Sequence, residues 1–103
     1  MLDITKLVDL NKILAANSFT LVKFYTESCP PCIKIAPYLE KLVEELQHIA
    51  FVKVDCGNQN DIGPAYKVGA VPTFIFFKHG KAVHTHHGAN EKELRDAISK
   101  HFE

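Results

Sequence analysis

Two cysteines three residues apart, in Cys29-Pro30-Pro31-Cys32, are the side chains of this sequence whose type and spacing could do chemistry. A thiolate attacks a disulfide sulfur, and a second thiol close by can resolve the mixed disulfide that forms. If Cys29 caps a helix, Pro30 and Pro31 fall at its first two positions, where an N–H has no helical partner to lose. The first free helical donor is then the Cys32 N–H, next to the Cys29 sulfur. That donor and the helix dipole both favour a thiolate, drawing the Cys29 thiol from about 8.5 toward neutrality. Cys29 is therefore the expected attacking thiol, and Cys32, one turn on, the resolving one. The competing readings are half of a zinc site or two inert thiols. Tetrahedral zinc needs two further ligands, and only Cys56 and the histidines could supply them, at no recognised spacing. No metal site is expected.

Such a pair must sit where a strand ends and a helix begins. Thr20-Leu21-Val22-Lys23-Phe24-Tyr25 is a β-favouring run with one intruding lysine, read as a buried strand. After the cysteines, Ile35, Leu39, Leu42, Val43 and Leu46 form an apolar stripe, giving a long helix that fades near His48. Pro37 lies inside that stripe, so a kink is expected there. Ala50 to Val54 reads as a second strand, which makes a βαβ unit with parallel strands and a right-handed crossover.

Around this unit, Leu7, Leu10 and Leu14 suggest an earlier helix that stops at Asn17-Ser18. A polar loop from Cys56 to Asn60 leads to a short helix near Asp61 to Tyr66. Thr73 to Phe77 is almost uniformly apolar, as in a strand covered on both faces. Lys78-His79-Gly80-Lys81 reads as a hairpin turn into an antiparallel strand from Ala82 to His87. Asn90 with Glu93 resembles a capping box, and Leu94, Ala97, Ile98 and Phe102 give the last helix its core face. The sum is α/β: a central mixed sheet flanked by helices on both faces.

With 103 residues, 47% of them apolar and 23% charged, the chain can bury a core and is expected to form one domain over 1–103. Twelve basic and twelve acidic side chains cancel, which argues against a nucleic-acid binder and against a polybasic membrane anchor. No apolar stretch approaches the roughly 20 residues of a membrane span. Met1 to Lys6 is no secretory n-region, and three cysteines are too few for a disulfide-stapled secreted scaffold. A cytoplasmic location is expected.

The chain resembles the thioredoxin family over nearly its whole length. The resemblance rests on Val22 to Cys32, Ile35-Ala36-Pro37, Val52-Lys53-Val54-Asp55, Val71-Pro72-Thr73-Phe74, Phe77-Lys78-His79-Gly80 and Gly88-Ala89-Asn90, in matching order and spacing. It implies a thioredoxin fold, reduction of protein disulfides, and a role in electron transport and cell redox homeostasis. It further implies a cis peptide at Val71-Pro72 facing the cysteines. A substrate strand would lie on Val71, with Pro72, Pro30, Gly88 and Ala89 completing the docking surface. No bound cofactor is implied. Electrons would come from a partner, an NADPH-dependent thioredoxin reductase or a glutathione/glutaredoxin system.

Three departures from the family bear on the redox behaviour. Ser28 stands where tryptophan is usual, and Pro30 where glycine is usual, so that with Pro31 the turn is stiffened. Lys23 stands where relatives bury an aspartate credited with accepting the resolving thiol's proton. Three readings of Lys23 are open: its stem snorkels the ammonium to solvent, its charge stabilises thiolate near Cys32, or a neutral amine serves as the base. Without the usual acid, slow turnover is one expectation, and a binding module of the same fold with little turnover is the alternative function. Cys56 is read as a small inert residue or as the link of a disulfide dimer, leaving monomer and dimer both open. His84 and His86 share one face by alternation, with His87 beside them, and that face is expected to be solvated rather than a metal site.

Overall fold

The computed structural model describes residues 1–102. Its elements run β1 (Leu2–Asp3), α1 (Leu7–Ala16), β2 (Phe19–Tyr25), α2 (Pro30–Glu45), β3 (Ala50–Asp55), α3 (Ile62–Ala65), β4 (Thr73–Lys78), β5 (Lys81–His87) and α4 (Glu91–His101). The strands form one mixed sheet in the order β1-β3-β2-β4-β5. β3 is parallel to β1 and β2, while β4 is antiparallel to both β2 and β5.

Period-two alternation sends each central strand's apolar residues to two cores. On one face Leu21, Phe51, Phe74 and Phe76 pack against Ile35, Leu39 and Leu42 of α2 and Leu94 and Ile98 of α4. On the other, Val22, Phe24, Val54, Ile75 and Phe77 meet Leu10 and Leu14 of α1 and Ile62 of α3. Phe74 to Phe77 thus serve both cores in turn, which is why β4 carries no polar side.

The elements expected from the sequence are present, with ends moved by one to three residues. β1 is the addition. Its two residues pair Leu2 with Val52 and Asp3 with Lys53, too short a stretch for alternation to reveal. Pro37 neither ends nor splits α2. At the β4–β5 turn both His79 (φ 50°) and Gly80 (φ 80°) take the left-handed conformation that a tight two-residue hairpin demands. Asn90 caps α4 by accepting from the Glu93 N–H at 2.9 Å.

The histidine face differs from expectation. His84 and His86 do share a face, opposite Phe76 and Phe74, but α4 lies over it. His84 stacks on His101 with ring centres 4.5 Å apart, and His86 is 9% exposed against Phe74, its Nε2 without a partner. His87 alone of the three is exposed. Burial is the main cause that lowers the proton affinity of His86; His87 adds to it and Glu93 opposes it. The unfolded chain therefore takes up this proton first as pH falls, and stability declines below about pH 6.5. One such proton gives a limiting slope of about 1.36 kcal/mol per pH unit. Denaturant melts at pH 7.5 and 5.5 will show the decline, and His86→Leu will reduce it, leaving the share of His84, whose proton affinity burial also lowers.

Candidate active site

Cys29 is the N-cap of α2, its backbone extended at φ −94°, ψ 106°, with Pro30 and Pro31 at the first two helical positions. The Cys32 N–H donates to Cys29 Sγ at 3.2 Å, as the capping argument requires. The two sulfurs are joined in a disulfide, with Cα atoms 5.2 Å apart and both residues buried. A backbone N–H and a helix N-terminus aimed at a cysteine sulfur favour its thiolate once the disulfide is reduced. The junction is held by the Cys56 N–H on the Tyr25 carbonyl at 2.7 Å and the Cys29 N–H on that of Thr26 at 3.4 Å.

Lys23 does not snorkel. It is 5% exposed, and its Nζ donates to the Cys32 carbonyl at 3.5 Å, so the ammonium lies against the first turn of α2. By alternation Lys23 and Tyr25 share the face of Leu21, which packs in the core beneath α2. Lys53 stands beside it in register on β3. The two Nζ atoms lie 5.4 and 5.5 Å from the Tyr25 ring centre, within cation–π range. The Tyr25 hydroxyl donates to the Asp3 carboxylate at 3.0 Å, tying β1 to this cluster. Burial, then the neighbouring Lys53 charge, lowers the proton affinity of Lys23, against a smaller pull from Glu40. Lys53 is a further site residue that the expectations from sequence do not include. The signal was available: Val22-Lys23-Phe24 and Val52-Lys53-Val54 each place one lysine at the same point of paired strands.

The residues named for docking converge at the same end of the sheet. The Val71-Pro72 peptide is cis, as the resemblance implied. It immediately precedes β4, whose Thr73 pairs with Phe24 near the end of β2. The Gly88 N–H donates to the Pro72 carbonyl at 3.0 Å, joining the two loops. Gly88 takes φ 93°, a conformation that a side chain would strain. Pro30, Pro31 and Lys34 of α2 and Ala89 and Asn90 line one depression of about 480 Å³. Ser28 is exposed beside Cys29.

Cys56 and the histidines stand outside this cluster. Cys56 is half-buried at the end of β3, and burial together with the Asp55 carboxylate pushes its thiol up. Among the described residues, no three of His, Cys, Asp or Glu are placed to hold a metal ion.

A cysteine pair capped by a helix N-terminus, on a mixed sheet with a cis-proline loop at the same end, defines the thioredoxin-fold class. The chain belongs to the thioredoxin family, whose model (Thioredoxin) matches residues 4–100. It is 39% identical over 87 residues to thioredoxin of Chlamydia trachomatis, covering 84% of this chain and 85% of that protein. It is 36% identical over 103 residues to a peptide-N(4)-(N-acetyl-beta-glucosaminyl)asparagine amidase of Caenorhabditis briggsae, covering 97% of this chain. There it spans 17% of the relative's length. The X-ray structure of Fasciola hepatica thioredoxin superimposes with a TM-score of 0.93 at 37% identity, covering 98% of this chain and 99% of that one.

Proposed function

We propose that the protein reduces disulfide bonds of protein substrates through a Cys29/Cys32 dithiol–disulfide cycle, with Cys-Pro-Pro-Cys as its active site. The observation that carries this reading is the Cys32 N–H on Cys29 Sγ at a helix N-terminus, with the Cys32 sulfur in bonding reach. Cys29 thiolate attacks one substrate sulfur, the substrate disulfide breaks, and the leaving thiolate takes a proton from water. Cys32, once deprotonated, attacks Cys29 Sγ and expels the second substrate thiolate. Two electrons pass to the substrate, and the Cys29–Cys32 bond records their loss.

Substrate docks as an extended segment on Val71 and Pro72, flanked by Pro30, Gly88 and Ala89. The tie between Gly88 and Pro72 and the depression shared by Pro30 and Ala89 support that assignment. Lys23, Ser28, Pro30 and Pro31 set the potential of the pair. No cofactor is bound; an NADPH-dependent thioredoxin reductase or a glutathione/glutaredoxin system returns the electrons. A dithiol that must be kept reduced suits a cytoplasmic setting. Residues 1–103 act as one thioredoxin-like domain, supported by two cores that draw on elements from Ile4 to Phe102. The half-burial of Cys56, with its thiol pushed up by burial and Asp55, favours a monomer over a Cys56-linked dimer.

The test is turbidimetric reduction of insulin by dithiothreitol. The chain is expected to shorten the lag and speed precipitation in proportion to its concentration. A rate equal to dithiothreitol alone would leave a docking module without turnover.

A further inference from the structure

The large apolar side chains left exposed among the described residues are Leu2, Val8, Ile33 and Val83, and one of these adjoins the redox pair. Ile33 is 62% exposed and follows Cys32 in the first turn of α2. Its N–H donates to the Cys29 carbonyl at 3.1 Å, which sets it one turn along the helix from the nucleophile, on nearly the same side. Pro30 and Pro37 are exposed too, and positions 30, 33 and 37 fall on one helical face. At 1.5 Å rise per residue they make an apolar strip about 10 Å long.

Nothing in the fold uses this strip, since none of its three residues belongs to either core. It is continuous with the reactive end of the molecule, because Pro30 also lines the depression with Ala89 and Asn90. Pro37 has no N–H, so the Ile33 carbonyl lacks its α-helical donor. Around the strip stand exposed Lys34, Glu40 and Lys41, of both signs, which select no particular charge. Ser28, on the other side of Cys29, offers no apolar surface.

We propose that Ile33 is a specificity-determining residue, seating an apolar side chain that lies two residues from the attacked cysteine of an extended protein substrate. This rests on the reductase reading. An extended segment advances roughly 3.3 Å per residue, with residues i and i+2 on one face, so such a side chain lies about 6.6 Å from the cysteine. Side chains on successive helical turns lie about 5–6 Å apart. A substrate sulfur over Cys29 therefore brings that apolar side chain onto Ile33.

Two disulfide-linked peptide dimers test this, identical except for Leu or Ser two residues from the cysteine. The pre-reduced chain is mixed with each in single turnover, and rates are normalised to hydroxyethyl disulfide on the same variant. We expect the Leu peptide to react about tenfold faster than the Ser peptide, a factor within reach of partial burial of one leucine. Ile33→Ser is expected to cut that ratio to below about twofold, and Ile33→Leu to keep it. Equal rates for the two peptides in the parent chain, or a preference that survives Ile33→Ser, overturn the assignment while hydroxyethyl disulfide is still reduced. Failure to reduce hydroxyethyl disulfide overturns the reductase reading and this assignment with it.

Discussion

Replacing Cys29 with serine is expected to bring insulin reduction down to the rate of dithiothreitol alone. Replacing Cys32 with serine should instead leave a chain that attacks once and stops. The asymmetry follows from placement. The Cys32 N–H and the α2 N-terminus act on the Cys29 sulfur, whereas Cys32 is 2% exposed and reaches little besides its partner. A thiolate at position 29 can meet an incoming disulfide; a thiol at position 32 can meet only the mixed disulfide already formed. Serine is a good N-cap, so Cys29→Ser keeps the start of α2 and tests chemistry rather than folding. Incubated with a disulfide substrate, Cys32→Ser should accumulate a covalent adduct of one chain and one substrate half, visible by mass spectrometry and released by excess dithiothreitol. Turnover retained by Cys29→Ser, or an adduct carried by Cys32, would reverse the two roles. Cys56→Ser should leave the rate close to that of the parent chain, because burial and Asp55 hold that thiol protonated.

The pair was legible because its logic is local. A cap, two prolines and one amide are contained in four residues, and their geometry follows from helix termini whatever surrounds them. The strands were legible where alternation or a continuous apolar run marks them, as in Phe19–Tyr25 and Thr73–Lys78. What sequence reading left open or mistook depends on register. That Lys23 and Lys53 stand side by side is fixed by the parallel pairing of β2 with β3. That Lys23 stays inside follows from α2 lying over it. The histidine face differs from expectation for the same reason, since period-two alternation tells which side chains share a face but not what covers it. Here α4 brings His101 onto His84, and the face is covered, half-burying His84 and burying His86. Ile33 is not marked by the sequence, because an isolated apolar residue on a helix reads as core until its exposure is known.

Lys23→Met is expected to lower the reduction potential of the Cys29–Cys32 pair while raising the stability of the fold. A disulfide is neutral, but the reduced pair carries a thiolate, so a cation held against Cys32 favours reduction and makes the disulfide the stronger oxidant. Removing it should make the potential more negative by on the order of 30 mV, the equivalent of about 1.4 kcal/mol for two electrons. Lys23→Asp should move it further in the same direction, since it sets a negative charge where a positive one stood. Stability runs the other way. Lys23 is a buried cation whose polar partner is a carbonyl rather than a carboxylate, and a methionine of similar length removes that desolvation cost. The pH dependence separates the two effects. Because folding lowers the lysine's proton affinity, the unfolded chain binds the proton more tightly. The parent chain should therefore gain stability as pH rises toward about 10.5, and Lys23→Met should lose that gain. Equilibration against a glutathione buffer reads the potential, and denaturant melts at neutral and alkaline pH read the rest. If stability rises but the potential moves by less than about 10 mV, the charge is too well compensated by Glu40 to reach the sulfurs, and Lys23 has no part in setting their redox balance.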